Sequence, residues 1–431
     1  MKILLVESNI LYKQLYCLNF QMYLGMTDVI VVENAIEAID YLKNNKVDIV
    51  LSKHIIKNEN SSEILEAFMN DEVKETPLII IGKRDMFSFG ASYIDSSINL
   101  KKILRVLAGI LNVSAKDMAR KKVQEYIKIP KEYLKNITWI NVNIHDANQQ
   151  IIIEKDNILN YEDIDSQVTD EFIYIYHLDR LQFTEHFSNE IVSQLDDCQL
   201  TTKEQVLLGE VLTDEISVRV SKFGISASTI EQCKKMQKVV EDVCENTSLR
   251  KLFDNLVEQK SSYRYRHMLV SSFISSHMLK QMDWGNEEQE KKMRFVSVFQ
   301  NIYLTDDKLV KITSNEQLKS ANLSPAEHQL VISHANKAAE LVQQMGRIPM
   351  GVDAIIRQHH GSVTGMGFSE FYSGNLSPLS LIFIVSEQFT HMILDEESQF
   401  NFNKALVQIK EKFPTKRFEK IIKAIAEVKR I

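Results

Sequence analysis

Four short runs of Val, Ile and Leu near the N-terminus constrain this chain most. They are "KILLVE" at 2–7, "DVIVVEN" at 28–34, "VDIVLSK" at 47–53 and "TPLIIIGK" at 76–83. Apolar at consecutive positions, such runs suit strands buried on both faces, as parallel sheets require. Between them, stretches such as "AIEAIDYLKNN" at 35–45 are apolar at helical spacing, so strand and helix alternate. "NLKKILRVLAGIL" at 99–111 closes the segment as an amphipathic helix. The expectation is a doubly wound α/β domain over residues 1–117.

Residues 118–190 read differently. "TWINVNIHDANQQIIIEKDN" and "DEFIYIYHLDRL" alternate apolar and polar positions around turn residues, which predicts a small α+β module with an antiparallel pair. His145 and His177 stand alone there and read as ordinary surface or core residues. From 191 to 431 the pattern is helical. Thr201 or Thr202 is placed to cap a helix that Gly224 would stop. Apolar positions recur at three- and four-residue steps through about 260, a stripe that must be covered. Packing on the following residues and homodimer formation both remain open from this pattern. The sparse glycine and proline, 13 and 6 residues, agree with a largely helical chain.

A net charge of −7 gives no broad surface for nucleic acid. Cys17, Cys198, Cys233 and Cys244 are far apart and form no CxxC pair, which fits reduced, packed thiols in a cytoplasm. "MKILLVES" is too short an apolar run for a signal peptide, and no run reaches the length of a membrane span. A cytoplasmic protein is expected.

The first segment resembles a response-regulator receiver domain. That resemblance implies an acidic pair after the first strand, a phosphoacceptor Asp ending the third, a Thr or Ser after the fourth and a Lys after the fifth. Here these positions hold Glu7 and Ser8, then Lys53, Gly82 and Ser96. A phosphoacceptor must be a carboxylate, and Mg²⁺ needs several oxygen ligands close together. Lys53 offers neither, and its ammonium is placed to pair with Glu7 where a cation would sit. The expectation is a docking module that keeps the fold.

Histidines mark the last segment. Ser324 with Glu327 has capping-box spacing, which sets His334 about three turns into a helix. His359 and His360 end "VDAIIRQHH", with Gly361 placed to terminate that helix. The stretch "HHGSVTGMGFS" at 359–369 is similar to the "HHExxDGxGYP" pattern of HD-GYP domains, the metal-dependent HD phosphohydrolases that cleave cyclic di-GMP. His359, His360, Gly365 and Gly367 match. Phe368 replaces Tyr, and Gly361, Thr364 and Ser369 replace Glu, Asp and Pro. "LSPAEHQLVISHA" places His334 on a further family histidine. An ungapped count along "LSPLSLIFIVSEQF" puts Gln388 on an Asp ligand, beside Glu387. His267 matches an upstream histidine. The family's "LLHDIGK" corresponds to "VFQNIYL", so Gln300 and Asn301 stand for the His-Asp pair, and Tyr303 and Leu304 for Gly and Lys.

Two-metal hydrolysis uses ions about 4 Å apart, which a bridging carboxylate holds well and a neutral amide holds poorly. His334, His359 and His360 remain as residual ligands for a single divalent transition metal, or for none. His277 and His391 read as ordinary helix residues. The resemblance therefore implies a catalytically inactive signalling or scaffold protein acting through protein partners. Two alternatives are an active phosphodiesterase or other phosphohydrolase with an atypical site, and a non-hydrolysing cyclic di-GMP receptor using Arg357 and the loop 361–369.

Overall fold

The structure is a computed structural model that describes residues 2–25, 28–56, 61–73, 75–82, 91–113, 124–195, 200–346, 348–369, 372, 375–394 and 401–428. The chain divides into two units, Met1–Asp196 and Asp197–Ile431. The boundary expected near 117, and Cys198, lie outside the described residues.

In the first unit, β1 (Lys2–Val6), β2 (Asp28–Val32), β3 (Ile49–Lys53), β4 (Leu78–Ile81) and β5 (Ser92–Ile94) form a parallel sheet in the order β2-β1-β3-β4-β5. The four apolar runs are its first four strands. Leu4 lies opposite Val50, and Val50 opposite Leu78, so one face collects Leu4, Val6, Val50, Leu78 and Ile80. Helices α1 (Ile10–Leu24), α2 (Ala35–Asn44), α3 (Ser61–Glu72) and α4 (Leu100–Ile110) alternate with the strands. Ala38 and Leu42 of α2 and Leu65 and Met69 of α3 complete the core on that face. Ile3, Leu5, Ile49, Leu51 and Ile79 point the other way by strand alternation and are equally buried. Asn9, Asn34 and Asn99 each precede a helix and accept from its first-turn amides, which starts α1, α2 and α4 where they begin.

The second sheet has four strands rather than the expected pair. β6 (Tyr126–Pro130), β7 (Ile144–His145), β8 (Ile151–Ile153) and β9 (Phe172–Tyr176) run antiparallel in the order β6-β9-β7-β8. In β9, Ile173 and Ile175 are buried while Phe172, Tyr174 and Tyr176 are only partly covered, the alternation read in "FIYIY". α5 (Tyr161–Gln167) precedes β9, and α6 (Arg180–Gln194) follows it and runs across the boundary expected at 190. α6 packs against α1, and the Asn19 side-chain amide donates to Ser188 Oγ at 2.8 Å. Asn136 likewise donates to Gln14 Oε1 at 2.7 Å, so both sheets belong to one unit.

The second unit is helical among the described residues. It opens with α7 (Thr202–Phe223), α8 (Ala227–Asn246), α9 (Leu249–Glu258), α10 (Tyr263–Lys280) and α11 (Glu287–Phe299). Short helices α12 (Asp307–Val310) and α13 (Asn315–Ser320) follow. α14 (Pro325–Gln343), α15 (Val352–Gln358), α16 (Pro378–Leu394), α17 (Phe402–Lys412) and α18 (Glu419–Val428) complete it. Thr201 caps α7 in a capping box with Glu204, and Gly224 ends it with φ 72°, as the sequence predicts. The apolar stripe from 201 to 260 is covered inside the unit. Val206, Leu212, Ile216, Val239, Val240 and Leu252 are all buried, and α7 packs on α8. The pattern that left a homodimer open is therefore satisfied within one chain.

α10 is the hub, packed against α8, α9, α11, α16 and α18. It is buried on nearly every side, so its sequence shows no apolar stripe. Ser271, Ser272, Ser275 and Ser276 are small enough to let neighbouring helices approach. The Ser271 and Ser275 hydroxyls turn back to the carbonyls of Met268 and Ser272 at 3.0 and 3.3 Å. Asp307 accepts from the amides of Tyr263 and Arg264 at 2.7 and 2.9 Å, which fixes where α10 starts. No described helix is long and apolar enough to cross a membrane.

Candidate functional site

In a doubly wound sheet, ligands bind at the carboxyl ends of the strands where the order reverses. In the first unit that point lies between β1 and β3, and it brings Glu7 and Lys53 together. Lys53 Nζ lies 3.1 Å from Glu7 Oε2 and 3.0 Å from the centre of the Tyr12 ring. Glu7 is buried, and its other oxygen accepts the Asn9 amide at 2.8 Å. Ser96 accepts from the amides of Ile98 and Asn99 at 3.4 and 3.2 Å, a turn contact. Gly82 has φ +148°, and a Cβ there would lie 2.6 Å from His54 Cβ. A Thr or Ser at 82 does not fit this backbone.

In the second unit, α14 packs on α15, α15 on α16, and α16 on α10. That succession gathers five histidines from positions spread between 267 and 391. Ser324 and Glu327 form the predicted capping box, and Glu327 also meets Lys308 at 2.5 Å, so α14 is anchored at its start. His334 lies three turns in, buried. α15 ends at its C-cap, His359, and Gly361, with φ +78°, turns the chain away. A Cβ at 361 would lie 2.8 Å from the Tyr372 ring, so a Glu there would be strained and would need that ring to shift. Gly365, with φ +72°, comes within 3.0 Å of the Asn336 amide nitrogen by the same measure. The loop is fixed to α14 by Asn336 N–H donating to Gly365 O at 3.3 Å and Gly367 N–H to Ile332 O at 2.8 Å.

The three histidines expected to act together do meet. His334 Nε2 lies 3.2 Å from His359 Nε2 and 3.2 Å from His360 Nε2. His334 Nδ1 donates to Val331 O at 2.7 Å and His359 Nδ1 to Ile356 O at 2.6 Å. With a proton on Nδ1, each neutral ring has a lone pair on Nε2, and these lone pairs face one another. Only a proton or a cation between them makes the contact favourable. Burial pushes both rings down to about 4, against protonation at neutral pH. A tetrahedral ion with bonds of about 2.0–2.1 Å separates its nitrogen ligands by roughly 3.3 Å, close to what is found. The Nδ1-to-carbonyl bonds are also the usual way a metal-binding imidazole is oriented. The residues present thus fit one divalent transition metal.

Other expectations shift. Gln388, counted onto the Asp position, turns away and accepts from Lys412 Nζ. Glu387 faces the histidines instead, with Oε2 3.7 Å from His360 Nδ1 and Oε1 3.8 Å from His391 Nε2. Burial pushes its carboxyl up to about 7, opposed by His359 and Lys412. A count along the motif misses this by one residue, or 100° around the helix.

His391, expected as an ordinary helix residue, is buried beside other titratable side chains. With His267 and Glu387 it forms a second buried group whose ligand atoms lie within 4.8 Å of one another. The sequence signal was the four-residue step from Glu387 to His391, which puts both on one helix face. His277 belongs to neither group, and its Nδ1 meets Phe273 O at 2.8 Å. Gln300 follows α11 and is wholly buried, and neither amide atom has a hydrogen-bonding partner among the described residues. Leu304 is buried. Arg357, the cation considered for a phosphate, donates to Asn336 Oδ1.

No protein-family model and no curated protein matches the sequence. Among solved structures, the chain is similar to Bd1817, a HDG"Y"P protein from Bdellovibrio bacteriovorus. That likeness has 15% sequence identity and a TM-score of 0.38, covering 71% of this chain and 100% of the other, too distant to place this chain in a family.

Proposed function

We propose that the chain is a non-hydrolysing signalling or scaffold protein of HD-GYP descent that acts through protein partners. In this reading the N-terminal α/β domain is a receiver-like module without a phosphoacceptor, and His334, His359 and His360 hold one divalent transition metal. Bound there, the metal supplies a Lewis acid and a fixed cross-link between α14 and the turn after α15. The three imidazoles would hold it through Nε2, and the carbonyls of Val331 and Ile356 hold two of the rings in place.

The observation that carries this reading is the charge of the gathered side chains. Around the five histidines the two ligand groups contain one carboxylate, Glu387. Gln300 and Asn301 stand where the resemblance calls for His and Asp, and Leu304 where it calls for Lys. A phosphodiester and an attacking hydroxide repel each other, and a pair of ions bridged by carboxylate offsets that repulsion. One carboxylate, amide neighbours and an apolar residue in place of the lysine do not provide it. The Lys53–Glu7 pair supports the same reading for the first domain, since an ammonium occupies the strand-end position where phosphotransfer needs a carboxylate.

The test is cyclic di-GMP turnover by untagged full-length protein supplied with Mn²⁺, Fe²⁺, Zn²⁺ or Mg²⁺, read by chromatography. No product is expected, and the variant Gln300→His with Asn301→Asp is expected to stay close to background. Metal-dependent product from the natural sequence, abolished by His359→Ala, overturns the reading in favour of an atypical phosphodiesterase.

A further inference from the structure

We infer that the outer face of the second sheet, built from the aromatic rows of β6 and β9, docks a proline-rich segment of a partner protein that carries basic residues at its ends. The inference rests on the reading that the chain acts through protein partners, and it is independent of whether the second unit hydrolyses a phosphodiester.

The register of the sheet creates this face. Tyr126 lies opposite Tyr176, Lys128 opposite Tyr174, and Pro130 opposite Phe172. Strand alternation sends these six side chains to one face and Ile129, Ile173 and Ile175 to the other, where all three are wholly buried. None of the six is buried. An antiparallel sheet with one face on the core usually turns polar residues outward. This one turns out four aromatic rings and a proline. The Tyr126 and Tyr176 rings are 5.7 Å apart centre to centre, and Lys128 Nζ lies 3.5 Å from the centre of the Phe172 ring. His145, on β7 opposite Tyr174, meets the Tyr126 ring edge-on at 4.9 Å. It is 7% exposed, and its Nδ1 has no hydrogen-bonding partner among the described residues, which native proteins seldom allow. A backbone group entering beside Tyr126 would match it.

Rings with hydroxyl tips suit a polyproline II ligand. Prolines pack on the ring faces, the hydroxyls donate to carbonyls that such a helix leaves free, and the ligand is already extended before it binds. The three rings along β9, two residues apart, span about 13 Å, or roughly four residues of polyproline II. The ends of the rows select the sign of charge. Glu125 precedes Tyr126 at one end, Asp170 and Glu171 precede Phe172 at the other, and all three are exposed. The His177 amide donates to Glu125 O and the Lys131 amide to Glu171 O, each at 2.9 Å, which fixes both ends on the sheet. The Lys131 ammonium pairs with Asp165 at 2.8 Å, and that of Lys128 sits over Phe172. Basic residues flanking the prolines therefore meet carboxylates at either end. A nucleic-acid strand also stacks on aromatic platforms, but it would meet like charge at both ends, in a chain of net charge −7.

The experiment titrates full-length protein into labelled synthetic peptides and reads fluorescence anisotropy. The peptides share Pro-x-x-Pro cores flanked by Arg or Lys, with the same cores flanked by Glu and a single-stranded oligouridine as comparisons. Saturable binding of at least one basic peptide is expected, with its acidic counterpart weaker. Tyr174→Ala should weaken that binding at least about tenfold. Glu125→Lys combined with Glu171→Lys should reverse the preference toward the acidic peptides, a gain that a misfolded variant does not show. Circular dichroism checks that each variant folds. Failure of every peptide to bind, or binding unchanged in Tyr174→Ala, overturns the inference, while the cyclic di-GMP assay still decides the proposed function by itself. Oligouridine binding that Tyr174→Ala removes, with no peptide bound, overturns it in favour of nucleic acid.

Discussion

Replacing Lys53 by alanine tests the strand-end pair directly. Lys53 Nζ sits 3.1 Å from a Glu7 oxygen, with the Glu7 side chain 3% and the Lys53 side chain 19% exposed. At an effective dielectric of about 20, two unit charges at this distance attract by roughly 5 kcal/mol. Desolvation of both groups offsets most of that, so the intact pair contributes little net stability. Removing only the lysine is different, because Glu7 stays buried and loses its counter-charge. Breaking a wholly buried pair costs roughly 3–5 kcal/mol. Here the cost should be about 2–3 kcal/mol, since Lys53 is partly exposed and Asn9 still donates to Glu7. With Lys53→Ala, Glu7→Gln and the double variant, the double should be less destabilised than the sum of the singles by more than about 1 kcal/mol. Two units need not unfold together, so the readout is hydrogen exchange of the β1 and β3 amides by mass spectrometry. Additive effects, or Lys53→Ala within about 0.5 kcal/mol of the parent, would refute the pairing as the device that neutralises Glu7.

Four further outcomes are expected. Incubation with acetyl phosphate and Mg²⁺ should leave residues 1–117 unmodified, and an acid-labile phosphate on an aspartate there would contradict it. Chelator-treated protein should lose stability as pH falls from about 6.5 toward 4, because burial holds His334 and His359 down to about 4 in the fold, and the unfolded chain takes up their protons first. At about 1.4 kcal/mol per unit this amounts to roughly 3 kcal/mol for each ring. Glu387, pushed up to about 7, acts with the opposite sign: its contribution is present below about 4.5 and lost as pH rises through 7, so it returns part of the loss. Denaturant midpoints should therefore vary less with pH in a His334→Gln/His359→Gln variant, and equal pH dependence would refute the assignment. Gln300→Leu should stabilise metal-free protein by about 1–2 kcal/mol, since it removes two buried polar atoms without partners; a lower denaturant midpoint would count against it. Ser324→Ala should cost about 1 kcal/mol through loss of the α14 cap, seen as faster amide exchange in its first turn.

Periodicity and capping residues made much of the architecture legible. Consecutive Val, Ile and Leu at 3–6, 49–51 and 78–81 are buried on both faces of the parallel sheet, whereas those at 29–32 form its edge strand and are only partly covered, with Val31 exposed. Asn9, Asn34, Thr201 and Ser324 begin helices because a short polar side chain reaches the free amides of the first turn. The Lys53–Glu7 pair was readable for a similar reason, as parallel neighbours place the ends of β1 and β3 side by side. The sequence also marked His334, His359 and His360 through motif spacing.

Tertiary packing decided what spacing could not. Whether Glu387 or Gln388 faces the histidines is a rotation of 100° about α16, and it is set by the side that α10 and α15 leave to be buried. His391 looked ordinary because its partners, His267 and Tyr263, come from a helix more than a hundred residues earlier. Only the crossing of α10 and α16 brings those rings within contact. The stripe from 201 to 260 could have been covered by a second chain or by the same one. An amphipathic pattern records that a face must be buried, not what buries it, and here the helices of its own unit do so.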